Sequence, residues 1–233
     1  MAHRFPLSTF EANIRGTYNL LEACRTHRHL VRTVVVASSD KAYGEAAQLP
    51  YVEDMPLDGR HPYEVSKSCT DLLARAYHHT YRVPVAIARC GNIYGGGDLN
   101  WSRIVPGAIR SLLRRERPVL RSDGSFLRNY IYVQDVVQAY LCVAEAVDGA
   151  AAAGQAYNFS TESPLTVLQL VEAIRRVMRC EDLEPEILNT AEGEIPHQYL
   201  SAAKARTQLA WRPRYSLDQG LSETVEWYRA LLA

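Results

Sequence analysis

The sequence predicts an α/β fold built around a parallel sheet, and three observations carry that prediction. Residues 33–38, Thr-Val-Val-Val-Ala-Ser, form a continuous β-branched run of the kind found in strands buried on both faces. Helical patterns at residues 8–27 and 63–81 alternate with strand patterns at 33–38 and 84–90, a spacing that suits right-handed crossovers. At 233 residues and 47% hydrophobic, the chain can bury a sizeable core in one globular unit or two small ones.

Along the chain, Ser8-Thr-Phe-Glu11 has the capping-box pattern. It opens a helix with Phe10, Ile14, Leu20, Leu21 and Cys24 as its apolar positions. After the strand at 84–90 the alternation loosens. Residues 102–117 read as a helix despite Pro106, 117–121 as a short extended piece, and 128–133 as a strand running into a helix at 134–147. The Ala-rich stretch 149–154 reads as a surface loop and 157–160 as a short strand. Thr166 caps a helix that ends near Arg179, residues 181–196 are acidic and mostly irregular, and a last helix from Ser216 aligns Leu217, Leu221, Val225 and Tyr228.

Formal net charge is zero, which gives no support to a nucleic-acid or membrane-surface partner. No apolar run reaches the length of about 18 residues needed for a membrane span, and no signal-peptide pattern opens the chain, so a cytoplasmic protein is expected. Cys24, Cys69, Cys90, Cys142 and Cys180 are odd in number and lack a C-x-x-C pair. They read as reduced, small hydrophobes, and no metal site is expected.

Of 26 basic residues only Lys41, Lys67 and Lys204 are lysines. A lysine kept in an arginine background suggests a task for a compact amine whose pKa can be moved. Two of the three lie where chemistry concentrates. The strand at 33–38 delivers Ser38, Ser39, Asp40 and Lys41 at its end, where α/β sheets carry their sites, and Tyr63 and Lys67 share a helix face one turn apart. For Tyr63 to act as a base near pH 7 its pKa must fall by about 3 from about 10, and a neighbouring ammonium favours the phenolate. Taken alone, Asp40-Lys41 is more often a solvated turn, and the scarcity of lysine and the strand-end position tilt it to function; Arg128 is either a phosphate partner or a surface arginine. Gly95-Gly96-Gly97 lacks the G-x-G-x-x-G spacing; it either lets backbone approach a ligand or turns the chain.

These residues carry a resemblance. Asn13-Ile-Arg-Gly-Thr-Tyr-Asn-Leu-Leu-Glu-Ala23, Ser39 four before Tyr43-Gly44, the Tyr63/Lys67 pair, Arg89-Cys-Gly-Asn92, Arg128-Asn-Tyr-Ile-Tyr-Val-Gln-Asp135 and Trp211-Arg-Pro213 together resemble the extended short-chain dehydrogenase/reductase family, the NAD-dependent nucleotide-sugar epimerases and dehydratases. The resemblance implies an N-terminally truncated Rossmann-type parallel sheet with a smaller C-terminal α/β substrate domain. Residues 1–98, completed by about 128–148, would belong to the partial dinucleotide-binding domain, and 99–233 mainly to substrate binding. It implies NAD as cofactor, held by Ser38, Tyr63 and Lys67, and a nucleotide-diphosphate sugar as substrate, held by Asn92, Arg103 and Arg128. It also implies a homodimer through the helices at 8–27 and 63–81.

Ser39-Asp40-Lys41 stands where 4,6-dehydratases carry Thr-Asp-Glu, and Asp-Lys there is similar to CDP-glucose 4,6-dehydratases. The implied reaction is a redox-neutral loss of water. Tyr63, with Lys67 and Ser39, takes the C4 hydroxyl proton, Asp40 is the acid at C6, and Lys41 is near C5 as base or as electrostatic partner of Asp40. An epimerase or reductase of the same family and a catalytically silent remnant or interaction module are the alternatives. Family members begin with a strand and a Gly-rich turn for the cofactor pyrophosphate. Neither is present, so roughly 80 to 100 residues, including the sheet centre, are expected to be missing, with a strand edge and an apolar helix face left open.

Overall fold

The structure is a computed structural model that describes every residue except 1, 3, 150 and 192. Helix α1 (Pro6–Phe10) continues through a π-helical turn (Glu11–Arg15) into α2 (Gly16–Thr26). The capping box expected at Ser8 does not form. Pro6, whose fixed φ suits a first turn, starts the helix earlier, and Ser8 Oγ donates back to the Phe5 carbonyl at 2.8 Å. The buried face is also narrower than expected. Leu21 and Cys24 are buried, while Leu20, about 100° around the helix from Leu21, is exposed.

Strand β1 (Val34–Ser39) ends in a 3-10 turn (Asp40–Tyr43), followed by α3 (Pro62–Tyr81), β2 (Val85–Cys90) and β3 (Asn92–Tyr94). Then come α4 (Ile104–Leu113), β4 (Val119–Leu120), β5 (Leu127–Arg128), β6 (Tyr130–Tyr132), α5 (Val133–Asp148) and β7 (Ala156–Phe159). The chain finishes with β8 (Leu165–Thr166), α6 (Val167–Met178), β9 (Glu186–Ile187), β10 (His197–Gln198), α7 (Ala203–Leu209) and α8 (Leu217–Leu232). Pro106 falls in the first turn of α4, where its missing N–H breaks no helical bond.

Three differences from expectation have local causes. The single strand expected at 128–133 is split at Asn129, whose Oδ1 accepts the Leu200 N–H at 2.7 Å while its carbonyl accepts from Asn92 N at 2.9 Å. β5 therefore pairs with β10 and β8, and β6 with β3. The stretch 149–154 is only partly a surface loop: residue 150 lies outside the described residues, and Ala152 is fully buried. Helix α7 was not foreseen, because seven residues are too few to show a helical period.

The main sheet is Rossmann-type, parallel, in the order β1-β2-β7, with Val34 opposite Val85 and Ile87 opposite Ala156. On one face α2 and α3 cover it through Leu21, Cys24, Ala74 and Ile87. On the other, α5 and α7 bury Val136, Val143, Tyr157, Phe159 and Trp211. A separate core gathers α4, α6 and α8 around Ile109, Leu170, Ile174, Leu221 and Tyr228. Thr166 and Ser216 cap α6 and α8 through reciprocal bonds with Gln169 and Gln219. β1 pairs only with β2 among the described residues, so its outer edge is open. Leu72 on α3 and Val137 and Leu141 on α5 are exposed as well.

Packing explains the first two glycines of the run, and a φ of 91° at Gly97 the third. A Cβ on Gly95 would stand 2.4 Å from Val133 Cγ1, and one on Gly96 would stand 2.4 Å from Trp227 Cγ. The end of β3 can approach α5 and α8 only without side chains there.

Behind the end of β1 sits a buried ion pair. Arg89 donates to Asp71 through Nε at 2.7 Å and Nη2 at 3.0 Å, and its Nη1 donates to the Tyr43 hydroxyl at 2.6 Å and the Glu53 carbonyl at 3.1 Å. Both charged side chains are fully buried. Removing one partner strands the other charge, so Asp71→Asn should lower the unfolding free energy by about 3–5 kcal/mol in urea titrations. An unchanged midpoint would show that the pair is dispensable.

Candidate active site

The end of β1, the N-terminal turn of α3, Arg128 of β5 and residues 193–195 before β10 converge on a cavity of about 640 Å³. Its wall includes Lys41, His61, Tyr63, Asn92, Arg103 and Arg128. The backbone explains why. Ser39 is extended, and its side chain accepts the Lys41 N–H at 3.2 Å, which opens the 3-10 turn and swings Lys41 toward the cavity. Glu64 accepts the backbone N–H groups of Arg60 and His61 at 3.0 and 3.2 Å, fixing where α3 begins and so where Tyr63 stands. Ser68 Oγ donates to the Ala42 carbonyl at 2.9 Å, tying α3 to the turn.

Ser39 Oγ donates to Asp40 Oδ1 at 2.9 Å and also engages the Tyr63 hydroxyl. Two fifths of Tyr63 is open to solvent, yet its hydroxyl end faces this buried turn. Burial raises the Tyr63 pKa above its ordinary value, as does the nearby Asp40, while Ser39 and Arg103 work the other way. Lys67 lies on the same face, its Nζ 5.9 Å from the Tyr63 ring centre, and donates to the Ala37 carbonyl on β1 at 2.9 Å. Burial lowers the Lys67 pKa. Lys41 is also lowered, by burial first and by Arg128, against the opposing carboxylates of Asp40, Glu194 and Glu64. Its Nζ donates to Gln198 Oε1.

On the opposite wall, Asn92 Nδ2 donates to the Asn129 carbonyl at 3.4 Å. Arg103 donates to Asp98 at 2.8 Å and to the Ile93 carbonyl at 2.8 Å. Arg128 is no surface arginine. It is buried and spends three of its five N–H groups on the carbonyls of Leu127, Pro196 and Ile195, at 2.8, 2.9 and 2.6 Å, with Glu194 at 3.7 Å. Lys41, Tyr63, Asn92, Arg103 and Arg128 thus line one cavity, with Ser39 and Asp40 directly behind Lys41 and Tyr63. Ser38 and Lys67 do not line the cavity; they lie beside it, toward the open edge of β1. Glu194 and Trp101 in the wall, and Gln198 buried behind it on Lys41, were missed, since nothing in the irregular stretch before residue 200 or in a lone tryptophan announces such a place.

The donors beside the cavity suit a nicotinamide nucleotide. Ser38 Oγ is buried without a hydrogen-bond partner, and the Tyr63 hydroxyl and Lys67 ammonium stand at the same strand end, a set able to hold ribose hydroxyls. The G-x-G-x-x-G cradle for a pyrophosphate is not in this sequence.

A parallel sheet that presents Ser, Tyr and Lys at a strand end, next to a cavity lined by arginines, is the arrangement of the short-chain dehydrogenase/reductase class. The profile of the NAD dependent epimerase/dehydratase family matches residues 2–159, and the chain belongs to that family. It is 29% identical to CDP-glucose 4,6-dehydratase of Salmonella typhimurium over 99% of this chain and 67% of that protein. Among solved structures it is similar to dTDP-glucose 4,6-dehydratase of Bacillus anthracis in complex with NAD, at TM-score 0.84 and 29% identity, covering 95% of this chain and 68% of that one. It is similar also to UDP-glucose 4-epimerase of Thermotoga maritima with UDP-glucose, at TM-score 0.91 and 28% identity, covering 100% and 74%. The chain spans 61 to 67% of the length of the curated relatives it matches. The cofactor of the family is NAD.

The amine pKa directions set a pH signature. Because Lys41 titrates lower folded than unfolded, the unfolded chain binds more protons between the two values, and this group's contribution to stability rises with pH across that window. Urea titrations at pH 7 and 9.5 should therefore show the stability of the native chain, relative to Lys41→Met, increasing at the higher pH. A constant difference would mean that the Lys41 amine is not desolvated.

Proposed function

We propose that this chain carries the catalytic and sugar-nucleotide part of an NAD-dependent nucleotide-sugar 4,6-dehydratase, a lyase giving a 4-keto-6-deoxy sugar nucleotide. The observation that carries the reading is the Asp40-Lys41 pair: a carboxyl buried behind the cavity and a desolvated amine in its wall, adjoining Tyr63 and Ser39. An epimerase needs a base for one hydroxyl proton. Only an elimination needs an acid and a second base as well.

NAD, held by Ser38, Tyr63 and Lys67, would supply a hydride acceptor for C4 and donor for C6, which would keep the reaction redox-neutral. Tyr63 takes the C4 hydroxyl proton, and the one Ser39 O–H, turned from Asp40 Oδ1 to the phenolic oxygen, stabilises the phenolate. Lys67 and Ser38 hold the nucleotide ribose. With C4 a ketone, the C5 proton becomes acidic; Lys41 removes it as Asp40 protonates the C6 hydroxyl, which leaves as water, and the Lys41 ammonium returns the proton to C5 as C6 is reduced. Asn92, Arg103 and Arg128 orient the sugar diphosphate, Arg128 with the two N–H groups its carbonyl partners leave over. In this reading residues 1–98 and about 128–148 serve the dinucleotide and 99–233 mainly the substrate. Exposed Tyr18, Leu20 and Leu72 on α2 and α3 support a homodimer through these helices, which sedimentation of the native chain against Leu72→Glu would test.

The second reading is a nucleotide-sugar epimerase, favoured by the likeness of the fold to the Thermotoga maritima enzyme. The two separate when the chain is incubated with NAD and either CDP-glucose or dTDP-glucose and the products are read by NMR. A 4-keto-6-deoxy product is expected, lowered about 10²–10⁴-fold in Tyr63→Phe. Lys41→Met should stop water loss while leaving C4 oxidation measurable. A product inverted at C4 with its C6 hydroxyl intact would establish the epimerase instead.

A further inference from the structure

The amine of Lys41 is held by a residue from the far end of the chain. Gln198 is fully buried on β10, in register with Arg128 on β5, and its Oε1 accepts from Lys41 Nζ. Its Nε2 is buried without a hydrogen-bond partner, so among the described residues the bond to Lys41 is the contact that holds the amide side chain. The charged groups acting on Lys41 are Asp40 from its own turn, Glu64 from α3, Arg128 from β5 and Glu194 from the stretch before β10. The amine's hydrogen bond goes to none of these but to the neutral Gln198 amide, which fixes its direction.

We propose that Gln198 is a positioning residue for Lys41, a neutral acceptor that anchors the amine at the cavity wall without adding the counter-charge that would fix it as an ammonium. The inference rests on the reading of Lys41 as the base of the elimination. An amide oxygen accepts an N–H from either protonation state, since the ammonium has three N–H groups and the neutral amine two. A carboxylate at the same point would favour the charged form and disable the base. Anchoring one N–H also limits the directions open to the lone pair, which is what a base acting on a single C–H requires.

With only three lysines, the 233-residue chain can be labelled at lysine Nζ and Cε and each amine titrated by NMR, Lys41 being identified by the signal lost in Lys41→Arg. In Gln198→Glu the ammonium-to-amine ratio of Lys41 at a given pH should rise about tenfold or more, which is about one pKa unit. In Gln198→Met, similar in size but without the acceptor, it should fall, because the ammonium loses its partner. Lys67 should not move in either variant. A Gln198 that merely completes the core would destabilise the fold when replaced and leave the Lys41 midpoint where it was, and that result overturns the proposal. If one variant does not fold, the midpoint in the other decides. The titration needs no turnover, so it judges the role of Gln198 separately from the product assay, which judges the dehydratase reading.

Discussion

A fully buried guanidinium is the constraint on which the rest of this structure depends. Arg89 lies in the middle strand of the main sheet, where an unpaired charge would be prohibitive, and its partners come from three separate segments. Asp71 belongs to α3, one turn beyond Lys67 and two beyond Tyr63. Tyr43 closes the 3-10 turn that begins at Asp40, and Glu53 belongs to the loop that carries the chain from that turn to α3. Satisfying Arg89 therefore sets the height of α3 against the end of β1. The distance between the Tyr63 hydroxyl and the Ser39-Asp40 turn follows from an ion pair that touches neither. Tyr43 completes the arrangement: it accepts from Arg89, donates to Asn158 on β7 at 2.8 Å and, being buried, is pushed up to about 12.

The parts legible in the sequence were those with local signals. The β-branched run before Ser38, the helix holding Tyr63 and Lys67 and the capped helices from Thr166 and Ser216 all lie within a residue or two of where their patterns put them. The scarcity of lysine pointed to Lys41 and Lys67, and both titrate abnormally because both are desolvated. What stayed hidden was set by contacts distant in sequence. The break at Asn129 depends on Leu200, Gly95 and Gly96 on Val133 and Trp227, and the anchoring of Lys41 on Gln198, 157 positions away. Arg128 is the instructive middle case. Its place in a strand could be read, though it ends β5 rather than opening a strand; its burial among three carbonyls could not, because two of these come from Ile195 and Pro196 in a stretch with no periodic pattern.

Tyr63 and the two lysines show how burial acts in opposite directions on an acid and a base. Desolvation disfavours whichever form is charged, so the phenol is raised and both amines are lowered at one strand end. For Lys41 this brings the neutral amine closer to reach at ordinary pH, as proton abstraction requires. For Tyr63 it works against the phenolate, and the compensation must come from hydrogen bonds and positive charge near the ring oxygen; Ser39 and Arg103 already act in that sense.

The bond from Lys67 to the Ala37 carbonyl has one more effect. Ala37 lies on the outermost strand of the main sheet, whose outer edge has no partner among the described residues, and a bare edge is a template on which another chain can add a strand. An ammonium group seated on that carbonyl removes one of the acceptors an intruding strand would use and places a charge where it would have to lie. The same lysine that stands beside Tyr63 thus also acts as a guard against edge-to-edge aggregation.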